Sequence, residues 1–287
     1  NSDSYQRVAV VGGGHNGLVA ANYLVDQGFK VTVIDAKPRL GGAIGAYKSP
    51  MFDVEVPAGA NWAGMLAKKV ADELDLATDG HSQQLANPQL SCLYDDNTFS
   101  IYTNSIQTEV SLNCHFGDID AGKQIREFDK FCQKAADILR EEFEAPNPSR
   151  KRFEDRIESV TGIREVCGCS IEDIMKRFFS DEKLIGAFSF APVSLSNALL
   201  NTPGTAYSVF HMMLAETDNI AGCWGFFRDG TQSFVDVLTR RLERSQLCDT
   251  LLESRVTSIS KRGTEFIITL YKDNVHLNSD EIIYEPD

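Results

Sequence analysis

A βαβ pattern near the start of the chain constrains the fold more than any other feature. The β-rich run Arg7–Val11 is followed by glycines and then by a helical apolar pattern over residues 15–27, which Gly28 closes. A second β-branched run, Lys30–Ile34, ends at Asp35. Strands joined through one helix lie parallel in one sheet, so we expect an α/β domain with a Rossmann-like start.

Three glycines between the first strand and the helix fit the pattern GxGxxG at Gly12, Gly14 and Gly17. The first permits the turn, the second lets backbone amides approach a pyrophosphate, and the third lets helix and strand pack closely. Asp35 stands where a carboxylate binds the ribose hydroxyls of an adenosine. We therefore expect a dinucleotide site. The alternatives are that the glycine turn serves only the packing of helix on strand and that Asp35 is a plain surface acid.

The remaining patterns predict a mainly helical domain inserted into the α/β domain. We expect a first part of the dinucleotide domain at residues 1–80, a substrate or cap domain at 81–221 and a return segment at 222–287. Helices are predicted at 61–76, 117–144, through most of 151–215 and at 231–244; a hairpin is predicted at 90–94 and 99–103, and strands at 251–258, 265–271 and 280–284. Ser170 and Asp173 predict a helix cap.

Composition excludes several classes of function. The net charge of −13 disfavours a nucleic-acid partner, because such binding depends on neutralising phosphates with Lys and Arg. The seven cysteines are scattered and form no CxxC pair, which favours free thiols over a disulfide framework or a metal site. No apolar run is long enough to span a membrane. We expect a soluble protein of the cytoplasm or an organelle matrix. Because the chain starts at Asn1 rather than Met, earlier removal of a leader stays open as an alternative.

The segment after Asp35 ends in Arg39-Leu40-Gly41-Gly42. With the glycine turn, it resembles the flavin-binding signature of the superfamily that includes phytoene desaturases and flavin amine oxidases, in which an acid is followed by RxGG. The resemblance implies FAD rather than NAD as the cofactor. An arginine beside paired glycines suits a charge partner for a pyrophosphate; a loop arginine without a partner is the alternative.

Two later stretches extend the resemblance. Residues 54–62 are similar to the segment beside the flavin ring in amine oxidases; alternatively, Asn61 is a helix cap and Trp62 a core aromatic. Residues 224–230 resemble the return crossover of phytoene desaturase-like proteins. In the next strand, Val256 matches a valine whose backbone meets adenine in that superfamily; alternatively, Val256 is one more core residue. The implied cofactor-binding residues are Gly12, Gly14, His15, Asn16, Gly17, Asp35, Ala36, Arg39, Gly41, Gly42, Gly59, Ala60, Asn61 and Val256.

The resemblance implies an FAD-dependent oxidoreductase that removes a hydride from a small organic substrate, either an amine or an allylic C–H compound. Electrons then pass to oxygen, a quinone or another acceptor, because no second GxGxxG is present for a nicotinamide domain. We assign no catalytic residue: His81, His115 and His211 are isolated in the sequence. A non-catalytic FAD-fold subunit and an FAD-dependent isomerase are the competing functions.

Proteins of that superfamily carry a C-terminal segment that returns to the flavin's pyrophosphate and ribityl chain. Here the sequence stops at Asp287, just after a stretch that resembles the strand before the last excursion. We expect that the closing segment is missing. A second polypeptide, or a C-terminal fragment of the same gene product, would complete the FAD fold.

Overall fold

The structure of the chain is a computed structural model that describes residues 6–94, 97–117, 120–263, 265–272 and 281–284. The chain divides into two compact units. The first contains residues 1–63, 67–83 and 226–287, and the second contains residues 64–66 and 84–225. The long middle part of the sequence therefore forms its own unit, and the two ends of the sequence share the other.

A parallel sheet with two helices forms the centre of the first unit. Its strands are β1 (Arg7–Val11), β2 (Lys30–Ile34) and β11 (Cys248–Leu251), with β2 between the other two. Helix α1 (His15–Asp26) packs on α9 (Thr231–Ser245). The Asn22 side-chain amide donates to the Leu238 carbonyl at 3.1 Å, and Arg241 pairs with Asp26 at 2.6 Å, so the two helices run in the same direction.

Shorter elements of the first unit surround this centre. The hairpin β3 (Ala46–Lys48) and β4 (Glu55–Pro57) follows the glycine-rich loop, and α2 (Lys68–Glu73) comes after it. An antiparallel sheet is built from β12 (Ser254–Arg262), β13 (Glu265–Lys272) and β14 (Glu281–Tyr284). Ile268 and Leu270 of β13 are buried against Ile34 of β2, so this second sheet packs on the first.

The second unit is mainly helical. A 24-residue helix, α4 (Ala121–Glu144), presents a continuous buried face that includes Phe128 and Cys132. The other helices and strands are α3 (Ser105–Phe116), α5 (Arg150–Thr161), α6 (Ile171–Phe178), α7 (Glu182–Ser196), α8 (Tyr207–Met212), β6 (Leu90–Tyr94), β7 (Asn97–Ile101), β8 (Glu216–Thr217) and β9 (Ile220–Ala221). The chain passes between the units within β5 (Gln83–Leu85) and β10 (Gly225–Phe227), and also on either side of residues 64–66.

Most predicted elements are present. The βαβ unit, the helices predicted at 117–144 and 231–244 and the capping box of Ser170 and Asp173 are confirmed, with helix starts or ends displaced by up to four residues. The chain is an α/β protein with a Rossmann-like domain. The turn predicted at residues 95–97 falls partly outside the described residues.

Three predicted elements were wrong in extent. The helix predicted at 61–76 is reduced to α2, because Gly64 has a φ of 155° and its carbonyl accepts from the Glu216 amide. The strand predicted at 251–258 is two strands, since Glu253 has a positive φ of 51° between them. The second strand of the predicted hairpin begins at Asn97 and ends at Ile101, because Asn97 already pairs with Tyr94 in the ladder.

Candidate dinucleotide-binding site

The glycine turn after β1 has the geometry that a bound phosphate requires. Gly12 has a φ of 104°, which glycine adopts without strain, and its amide donates to the Ile34 carbonyl at 2.8 Å. A Cβ on Gly17 would lie closer than 3.0 Å to the Gly12 carbonyl oxygen, so only glycine fits there. Gly14 is the N-cap of α1, and no side chain caps this helix. The first amides of α1 therefore keep their donor capacity, and the positive end of the helix dipole lies at the turn.

Asp35 binds two backbone amides at the end of β2. Its Oδ2 accepts from the Gly13 amide at 2.7 Å, and its Oδ1 accepts from the Lys37 amide at 2.7 Å. Because a carboxylate has about four acceptor positions, each oxygen retains one for a ligand hydroxyl. The side chain predicted to hold a ribose is thus already oriented by the turn that would hold the phosphates.

The loop after Asp35 returns to the glycine turn. The Gly41 amide donates to the Gly13 carbonyl at 2.8 Å, and Gly41 and Gly42 have positive φ values of 125° and 57°. A Cβ on Gly42 would lie 3.2 Å from the Gly14 Cα, so the two loops are in backbone contact. Paired glycines at this position are therefore required by close packing of the two loops. Ala36 is half-buried within the same loop.

Arg39 lies beside the loop and has protein partners. Its Nη1 donates to Glu55 Oε1 at 2.7 Å and approaches the Ala46 carbonyl at 3.4 Å. Both charged side chains are about half exposed, at 46% and 51%. The alternative of a loop arginine without a partner is excluded by this ion pair.

The segment predicted to lie beside the flavin ring runs along the glycine-rich loop. The Ala58 and Ala60 amides donate to the Gly45 and Ala43 carbonyls at 2.8 and 3.0 Å, and Gly59 is exposed between them. Neither alternative for the end of this segment is observed. No helix begins at Asn61, which is exposed, and Trp62 is 45% exposed and stacks on Phe226 with ring centroids 4.8 Å apart.

Sequence reasoning missed Gln232, which links the return segment to the loop. Its side-chain oxygen accepts from the Ala46 amide at 2.9 Å, and its nitrogen donates to Asp236 at 2.8 Å. Only 5% of Gln232 is exposed. The contact joins residues 186 positions apart, so no local pattern in the sequence marks it.

Of the other predicted residues, two lie beside the glycine turn and one lies on β12. His15 and Asn16 form the first turn of α1, beside the glycines. Val256 is partly buried against Ile34, Ile268 and Leu270, as its alternative interpretation required, and a register shift follows it in β12. The structure brings together the predicted residues of the turn, of the loop and of the segment 59–60. Val256 lies apart from them on β12, where it pairs with Leu270 of β13.

The histidines pack against aromatic rings. His81 meets Phe227 and Phe234 edge-on at 5.6 and 5.2 Å, and burial lowers the pKa of His81. Burial also lowers the pKa of His211. Within the described ranges, no group of three His, Cys, Asp or Glu side chains is arranged to hold a metal ion, and no helix is both long and apolar enough to cross a bilayer.

Comparison with known proteins finds one matching family and several distant relatives. The sequence profile of the family described as NAD(P)-binding Rossmann-like domain matches residues 10–74. The rat protein named pyridine nucleotide-disulfide oxidoreductase domain-containing protein 2 is 22% identical over 257 residues, which are 80% of this chain and 44% of the relative. The 4,4'-diapolycopen-4-al dehydrogenase of Metabacillus indicus is 20% identical over 241 residues, 83% of this chain and 48% of the relative.

Solved structures share the fold. Cyclohexylamine oxidase from Brevibacterium oxydans superposes with a TM-score of 0.55 at 15% identity, covering 96% of this chain and 56% of that one. The chain spans about half the length of the curated relatives it matches. These matches confirm the resemblance in the sequence: the chain carries the Rossmann-like fold of the amine oxidase and desaturase superfamily.

Proposed function

We propose that this chain binds FAD at the glycine turn and forms the cofactor-binding part of an oxidoreductase that takes a hydride from an organic substrate. One observation carries the proposal: Asp35 is bonded to Gly13, which unites the expected ribose and phosphate positions in one preformed cradle. A dinucleotide presents both groups together, so a cradle of this kind suits it better than it suits a lone phosphate.

The residues present fit the cofactor. The uncapped start of α1 suits the pyrophosphate, and the free acceptor positions of Asp35 suit the adenosine ribose. Arg39 supplies positive charge beside the loop. By resemblance, Val256 lies toward adenine, and the exposed segment at Gly59 lies toward the flavin ring. FAD, when bound, supplies the acceptor for the hydride.

The side chains of this chain orient and enclose the reactants. Trp62 and Phe226 present a stacked aromatic pair at the end of the segment expected beside the flavin, where an apolar wall would exclude water. No side chain of the described residues is assigned as acid or base. We propose that the middle block, residues 81–221, is the substrate cap, because it comes after the first cofactor segments in the sequence and consists mainly of helices.

Two substrate classes remain in competition. Similarity to an amine oxidase favours an amine with a C–H bond next to nitrogen, and similarity to a diapolycopenal dehydrogenase favours a polyene-derived substrate. Anaerobic bleaching of the bound flavin by a panel of amines and polyenes tests both. We expect one class of substrate to bleach the flavin of the wild-type protein and to produce no bleaching with the Asp35→Ala variant. A yellow protein whose flavin no substrate bleaches would favour a non-catalytic subunit.

The electron acceptor follows from the single dinucleotide fingerprint. We propose oxygen, a quinone or another acceptor, since a second GxGxxG for a nicotinamide cofactor is absent from the 287 residues. Neither NADH nor NADPH is expected to reduce the bound flavin. Rapid bleaching by either nucleotide, with no other protein present, would contradict this assignment.

We also propose that further polypeptide completes the FAD fold. The chain spans about half the length of the curated relatives it matches, which supports a further part that this chain does not contain. By resemblance, that part is a C-terminal segment, or a second chain, that returns to the pyrophosphate and ribityl chain of the flavin. Size exclusion and intact-mass analysis of native material would show whether such a segment accompanies the chain.

A further inference from the structure

The Arg39 guanidinium is held from one side only. Both of its recorded partners, Glu55 Oε1 at 2.7 Å and the Ala46 carbonyl at 3.4 Å, bind the same nitrogen, Nη1. Among the described residues, Nε and Nη2 have no recorded partner. A guanidinium held in this way keeps two donors in fixed directions, which is the arrangement that planar recognition of a phosphate uses.

The backbone partner of Arg39 is itself fixed by a buried side chain. Gln232 accepts from the Ala46 amide at 2.9 Å and is oriented by Asp236 at 2.8 Å. Ala46 is therefore bonded on its amide by α9 and on its carbonyl by Arg39. Because Gln232 is buried, this part of the hairpin cannot move without breaking a protected hydrogen bond.

The ion pair itself contributes little to stability. Both side chains are about half exposed, and exposed pairs are screened by water and salt. A long arginine side chain, however, loses rotamer freedom when it binds a ligand, and a partner that orders it beforehand removes part of that loss. The effect of Glu55 is then expected on ligand affinity rather than on folding.

We propose that Glu55 is a positioning residue that orients Arg39 toward the pyrophosphate of FAD. The inference rests on the proposed function, because it takes FAD as the ligand. The location supports it: Arg39 lies two residues before Gly41, whose amide binds the Gly13 carbonyl of the glycine turn at 2.8 Å. Glu55 thus joins the hairpin β3–β4 to the cofactor loop through the Arg39 side chain.

A double-mutant cycle tests the proposal. FAD affinity is measured by fluorescence titration for the wild type, Glu55→Gln, Arg39→Gln and the double variant. We expect Glu55→Gln to weaken FAD by about tenfold in the wild type and by less than about twofold when Arg39 is already replaced. Ligand-free thermal stability should change little in every variant, which separates positioning from a structural role.

The same hairpin provides a matched control. Asp53 pairs with Lys48 at 2.7 Å and is more exposed than Glu55, so Asp53→Asn should leave FAD affinity unchanged. Unchanged or tighter FAD binding by Glu55→Gln would overturn the inference, as would an equal loss with and without Arg39. If the wild type itself fails to bind FAD, the proposed function fails first, and the inference fails with it.

Discussion

The backbone amide of Gly13 donates to Oδ2 of Asp35 over 2.7 Å and so ties the turn after β1 to the end of β2. A Cβ on Gly13 would also collide with the side chain of Leu40, so the loop that follows Asp35 lies directly on this glycine. The two loops proposed to meet FAD at different points are therefore fixed relative to each other without a ligand. Preorganisation of this kind lowers the entropic cost of binding.

Asp35→Ala should weaken FAD binding and also loosen the turn. The substitution removes the acceptors of the Gly13 and Lys37 amides together with the proposed ribose contact. We expect a loss of about 1 to 3 kcal/mol in FAD affinity, the usual range for charge-assisted hydrogen bonds. Isothermal titration with FAD measures the loss, and hydrogen exchange at Gly13 reports the turn.

A control for Asp35 is available on the same unit. Asp72 is exposed on α2 and pairs only with Lys68 at 3.0 Å among the described residues. Asp72→Ala should bind FAD as the wild type does. Equal affinity of the Asp35→Ala and Asp72→Ala proteins would remove Asp35 from the site.

Gly17→Ala should abolish dinucleotide binding and destabilise the fold. The added Cβ would lie closer than 3.0 Å to the Gly12 carbonyl oxygen, which is backbone and cannot move without opening the turn. Gly186→Ala is the control, because Gly186 lies within α7 with nothing near its Cβ position and alanine favours a helix by roughly 0.5 to 1 kcal/mol. Urea unfolding should show opposite signs for the two variants. Wild-type stability of Gly17→Ala protein would contradict the packing described for the turn.

Local pattern predicts the βαβ unit because all its determinants lie within 35 consecutive residues. It fails at residues 61–76, where Leu66, Val70 and Leu74 have helical spacing. Gly64 there has a φ of 155°, and its carbonyl accepts from the Glu216 amide at 2.8 Å. Tertiary hydrogen bonds thus override the periodicity, and the helix starts only at Lys68.

The residues that hold the cofactor loop in place were harder to predict. Glu55 lies within the segment 54–62 that resembles the flavin segment of amine oxidases, but its contact with Arg39 spans 16 residues. Gln232 lies 186 residues from Ala46. A single sequence records the composition of such pairs but not their proximity. The glycines, Asp35 and Arg39 were therefore predicted, whereas the contacts of Glu55 and Gln232 with the loop were not.

Asp129 on α4 should make stability fall as the pH rises from 4 to 7. Burial raises the pKa of Asp129 to about 6, so the folded state binds a proton that the unfolded state releases near pH 4. The penalty is absent below pH 4 and complete above pH 6. Asp129→Asn removes it, and the stability difference between variant and wild type should grow by roughly 2 kcal/mol from pH 4 to pH 7.

Urea unfolding at the two pH values measures this difference. Asp155→Asn, at an exposed position on α5, is the control and should shift stability equally at both pH values. A pH-independent difference between Asp129→Asn and the wild type would show that the carboxyl titrates alike in the folded and unfolded states.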